Sequence, residues 1–83
     1  MKRGTQIIYV PSHADGPDHP DAEPGFVTSG DDAFVFCRYW SKHYPGELRT
    51  KANSERTPTC ALVVQDTVDQ SLVEEMLEKY CDG

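Results

Sequence analysis

The chain has 83 residues, a net charge of −6 and an apolar content of 37%. That length allows one domain with a small core, and the apolar content, with four Tyr, three Phe and one Trp, excludes a disordered chain. The charge weighs against nucleic acid and membrane surfaces and favours basic partners.

After a polar start, Thr5-Gln6-Ile7-Ile8-Tyr9-Val10 reads as a strand. Ile7 and Tyr9 share one face, Ile8 and Val10 the other, and Pro11 ends the strand or marks an edge. Ser12 to Gly25 is a long loop punctuated by Pro17, Pro20 and Pro24. Loops of this length are commonly functional or mobile.

Gly25 to Trp40 predicts a hairpin, with strands at 25–29 and 33–40. Gly30 can take a positive φ at the turn, and Asp31 and Asp32 can cap the bend. Phe34 and Phe36 point one way, Val35, Cys37 and Tyr39 the other. A strand apolar on both faces requires cover on both, so the sheet is expected to curl over itself.

Pro45-Gly46 marks a turn within a second loop, 41–47. A short strand is expected at 48–52, a polar turn at 53–58 and a central apolar strand at 59–65. A helix follows at about 68–80, opened by Thr67 and Gln70 as a capping box. Leu72, Val73, Met76, Leu77 and Tyr80 form its apolar stripe.

The fold class is therefore mainly β with one C-terminal α-helix: a small, partly open antiparallel barrel whose helix plugs an end or covers an edge. Thr5–Val10, Gly25–Ser29, Ala33–Trp40 and Cys60–Gln65, with the long first loop and tight second hairpin, resemble an SH3-like barrel. Gly4-Thr5-Gln6-Ile7-Ile8-Tyr9-Val10-Pro11, Gly25-Phe26-Val27-Thr28-Ser29 and Leu48-Arg49-Thr50-Lys51-Ala52-Asn53-Ser54-Glu55 also resemble small proteins encoded by bacteriophages and found in environmental sequence. That resemblance implies no activity, because SH3-like barrels host peptide, nucleic-acid and protein binding alike.

Cys37, Cys60 and Cys81 are odd in number and widely spaced. With no signal segment and no apolar run near the ~18 residues of a membrane span, they predict a reduced, cytoplasmic protein with free thiols. Cys37 and Cys60, both read into apolar strands, are expected as small buried hydrophobes.

Two constellations bear on function. His13, Asp15, Asp18, His19, Asp21 and Glu23 fall within the first loop. They read as a solvated acidic loop, as an acidic patch for a basic partner, or as a divalent-metal site using His13, Asp15, His19 and Asp21. The spacing matches no established finger or calcium-loop pattern. Arg38, Tyr39, Trp40, Lys42 and Tyr44, followed by Arg49, Lys51 and Arg56, interleave cations with aromatics. Such a surface suits nucleic acid or a peptide groove, whereas a small domain equally uses its aromatics as core. No nucleophile–base motif or Gly-rich phosphate loop occurs, so no catalytic residue and no cofactor beyond that metal is assigned.

The expectation is a non-enzymatic, cytoplasmic protein-binding module, of the kind a phage could use to modulate a host protein. It docks through Asp15, Asp18, Asp21 and Glu23 or through Tyr39, Trp40 and Tyr44. The alternatives are a nucleic-acid module using Arg38, Lys42, Arg49, Lys51 and Arg56, and a small metal-binding protein.

Overall fold

The computed structural model describes residues 1–50 and 53–80. The strands are β1 Gln6–Tyr9, β2 Glu23–Gly30, β3 Phe34–Tyr39, β4 Glu55–Pro58 and β5 Leu62–Val64. They form one antiparallel sheet in the order β4-β3-β2-β1-β5, followed by helix α1, Gln70–Lys79. The outer strands β4 and β5 are joined only by a 3-10 turn, Thr59–Ala61. In a flat sheet they would stand roughly 19 Å apart, at about 4.8 Å per strand. The steps from Pro58 to Leu62 span roughly 14 Å at most. The sheet must therefore curl, and the mainly β, partly open barrel expected from sequence is what forms. Thr59 N–H donates to Ala33 O (3.0 Å) and Val10 N–H to Ala61 O (2.9 Å), tying the turn to both halves of the sheet.

The curl divides the core by strand alternation. Ile7, Val27, Val35, Cys37 and Tyr39 pack on the concave side with Tyr9 and Leu62. Phe26, Trp40 and Leu48 pack on the other face beneath Val73 and Met76 of α1, flanked by Val68, Leu72, Leu77 and Tyr80. The helical stripe is the predicted one. Its cap is not: Asp69 Oδ1, not Thr67, accepts from Ser71 N–H at 3.0 Å. Thr67 N–H and the Gln70 side chain are instead bonded to β1 and its approach.

The β2–β3 turn forms as predicted, with Gly30 at φ 131° and Asp31 Oδ1 accepting from Ala33 and Phe34 N–H, both at 3.0 Å. The register slips between Val27 and Ser29, a bulge at Thr28. Thr28 is buried and donates its hydroxyl to Phe36 O at 2.9 Å.

Several expectations are corrected. The strand β2 starts at Glu23 and includes Pro24, whose carbonyl accepts Trp40 N–H at 3.0 Å just past the end of β3. Of 48–52, Leu48 alone bridges Trp40, and Lys51 and Ala52 lie outside the described residues. The polar 53–58 stretch contains β4, because it is paired with Phe34, Val35, Phe36 and Cys37 of β3 and not because its own residues favour a strand. The expected strand 59–65 begins as the 3-10 turn, and its remainder, β5, is an edge strand with Val64 62% exposed. Cover on both faces of β3 is confined to one end: Arg38 and Trp40 are buried, while Phe34 and Phe36 are 37% and 40% exposed.

Cys37 is buried and Cys60 exposed, both as free thiols, so Cys60 is not the buried hydrophobe expected. Cys81 lies outside the described residues. Burial pushes the Cys37 thiol up to about 11. Native protein at neutral pH is therefore expected to be alkylated by iodoacetamide at Cys60 and spared at Cys37 until denaturant is added, as read by peptide mass spectrometry. Labelling of both sites at one rate would contradict this packing.

Candidate functional site

The first loop is built from consecutive backbone turns. Ala14 N–H donates to Pro11 O (2.9 Å), His19 N–H to Gly16 O (3.1 Å) and Ala22 N–H to His19 O (3.0 Å). Ala22 is buried and anchors the far end beside β2. From the following loop, Lys42 Nζ donates to Pro20 O at 2.7 Å. This folding brings His13 Nε2 to 2.7 Å from Asp21 Oδ2, with the His13 and His19 rings edge to face at 5.5 Å. Asp21 N–H donates to His19 Nδ1 at 3.0 Å. One donor atom from each of His13, His19 and Asp21 lies within 4.8 Å of the others. The hydrogen bond with His13 holds the Asp21 carboxyl below its usual range, helped by the nearby Lys42 ammonium. Asp15 is exposed and outside this grouping, as is Asp18.

The predicted aromatic–basic surface is dispersed. Tyr39 and Trp40 are core, at 2% and 6% exposure; only Tyr44 is open to solvent. The Tyr39 hydroxyl is bonded to Thr57 Oγ1 at 2.8 Å, while the Trp40 indole N–H has no hydrogen-bond partner among the described residues. Arg38 is buried, donates to Thr50 O at 2.7 Å and lies over the Tyr80 ring. Arg49 is paired through Nε with Glu23 at 2.9 Å and through Nη1 with Glu55 at 3.0 Å. Glu23 is thereby withdrawn from the acidic loop and joined to the side of the barrel. With Lys51 outside the described residues, Lys42 and Arg56 are what remains of the expected row of cations. Arg49 also lies over the Tyr39 ring, beside a cleft lined by Tyr9, Glu23, Tyr39 and Glu55. Its volume of about 220 Å³ falls short of the roughly 300 Å³ at which ligand pockets begin.

Another surface was missed by sequence reasoning. Cross-strand pairs Phe34–Pro58 and Phe36–Arg56 place four side chains on the outer face of the β3–β4 pair. The Arg56 guanidinium carbon sits 4.0 Å from the centre of the Phe34 ring. A stacked arginine keeps its N–H edges available for an acceptor. The alternation Phe34, Phe36 was visible, but nothing in β3 itself says which face is wet; the charged and proline residues opposite in β4 were the available signal. No protein-family model, curated protein or solved structure matches the chain. Among the described residues no helix is long and apolar enough to cross a membrane.

Proposed function

We propose that the chain is a small, non-enzymatic module that binds another protein, and that its docking surface is the outer β3–β4 face. The observation that carries the reading is the pair of half-exposed phenylalanines beside a stacked arginine, on a face that the α1 cluster does not include. Aromatic residues, phenylalanine among them, and arginine are enriched at protein interfaces relative to the rest of the surface. Apolar rings with a cation at their margin fit an apolar segment that carries a carboxylate. The surface replaces the Tyr39–Trp40 face of the sequence reading, whose rings are used as core.

The test is capture from a lysate of the producing cells on immobilised protein, with the captured chain identified and its binding measured. Phe36→Ser is expected to abolish capture and Arg56→Glu to weaken it at least tenfold, with the melting temperature of both variants near that of the parent. Asp15→Lys with Asp18→Lys should leave it unchanged. Capture that survives Phe36→Ser, or is lost on reversing the loop charges, removes this face as the interface.

A further inference from the structure

We propose that the first loop is a binding site for a borderline divalent cation of the Zn²⁺ class, held by His13, His19 and Asp21. The site is independent of the β3–β4 face. Its warrant is convergence: residues up to eight apart in sequence place one donor atom each within 4.8 Å of the others. Tetrahedral Zn²⁺, with bonds of about 2.0 Å, sets its donors roughly 3.3 Å apart. His13 Nε2 and Asp21 Oδ2, at 2.7 Å, would open by roughly half an ångström to reach that edge length. His19 would move inward by roughly 1.5 Å at most. These are side-chain adjustments in a loop whose backbone is already fixed by its turns and by Lys42 on Pro20 O.

The donor set selects the ion. Two imidazoles and one carboxylate suit Zn²⁺, Co²⁺ or Ni²⁺, whereas Mg²⁺ and Ca²⁺ take oxygen ligands throughout. His19 Nδ1 accepts the Asp21 amide, so in this arrangement that nitrogen carries a lone pair and not a proton. An ion taken at Nδ1 replaces a hydrogen bond at the surface, where water can satisfy the amide. The ammonium of Lys42 is a positive group that acts on Asp21. His13 and Asp21 are both 62% exposed in their side chains. A three-ligand site there leaves a coordination position for water or for a donor from another molecule.

The test uses the full chain with Cys60→Ser and Cys81→Ser, so that neither of these thiols competes, after stripping with chelator. Zn²⁺ is titrated by calorimetry, and Co²⁺ by its visible absorption. The expected result is one ion per chain, a melting temperature that rises with Zn²⁺ concentration, and no response to Mg²⁺ at the same concentration. Single replacements His13→Ala, His19→Ala and Asp21→Asn should each weaken Zn²⁺ binding at least tenfold, while the ion-free melting temperature stays within a few degrees of the parent. No uptake by the stripped protein, or uptake unchanged by His19→Ala, overturns the site.

Discussion

Replacing Gln6 with leucine is expected to destabilise the protein by about 3–9 kcal/mol, as three backbone groups lose partners at about 1–3 kcal/mol each. Gln6 is 1% exposed, on β1, and its amide is fully used. Nε2 donates to Val68 O at 2.9 Å and to Gln70 Oε1 at 3.0 Å. Oε1 accepts from Thr67 N–H at 2.9 Å and Val68 N–H at 3.0 Å. One side chain thus stands in for a strand partner along the segment that leads into α1. Leucine fills a similar volume but leaves the two N–H groups and the Val68 carbonyl facing apolar atoms. A domain of 83 residues has roughly 4–12 kcal/mol of total stability, so the variant should be partly unfolded at 25 °C. Urea titration followed by circular dichroism measures the loss, and hydrogen exchange should show the α1 amides opening first. Gln6→Glu keeps the acceptor oxygens and loses the donors, and should fall between the two. A Leu variant within 1 kcal/mol of the parent would mean that the apolar stripe alone holds the helix.

Gln6 also marks where the sequence stopped being informative. A polar residue opening an apolar strand reads as a solvated position, and nothing local says that its four hydrogen-bonding sites are met by residues sixty positions away. The features that were legible are those set by local chemistry: the Gly30–Asp31 turn, the period-two alternation along β3, and the 3.6-residue stripe of Val73 and Met76. What failed depends on neighbours. The β4 strand is polar and ends in Pro58, and it is a strand because β3 pairs with it. The run Leu62-Val63-Val64 is apolar enough for a central position yet pairs only with β1, since composition records hydrophobicity and not the number of adjacent strands. Arg38 resembled a surface cation because burial of a guanidinium requires acceptors, here Thr50 O and the Tyr80 face, that lie elsewhere in the chain. For the first loop, the residue types were evident from sequence. Their separation into a converging set, His13, His19 and Asp21, and outlying Asp15 and Asp18 came from the turns at Pro11, Gly16 and His19.

The same chemical change at two glycines is expected to have opposite consequences. Gly25 lies mid-strand in β2, paired with Ile7 on one side and Tyr39 on the other. A Cβ there would lie 2.2 Å from Arg38 O, 2.9 Å from Tyr39 Cδ1 and 3.0 Å from Tyr39 Cα. Two of these are backbone atoms, so no rotamer change relieves the overlap, and β2 and β3 must separate by about an ångström to restore van der Waals contact. Overpacking of this kind costs about 3 kcal/mol, equivalent to a melting temperature lower by roughly 12–24 °C for a domain of this size. Gly16, in the first loop, has nothing within 4 Å of its would-be Cβ and no left-handed φ. Gly16→Ala should be neutral or raise stability by a few tenths of a kcal/mol, through a less flexible unfolded chain. Thermal melts of the two variants decide the matter, and equal melting temperatures would contradict the close β2–β3 approach. That approach bears on function as well. It sets how β3 passes beneath α1, which covers Arg38 and Trp40 and leaves Phe34 and Phe36 open. A Gly25→Ala protein that still folds should therefore lose affinity at the β3–β4 face while its first loop, whose turns do not depend on that crossing, keeps its capacity for Zn²⁺.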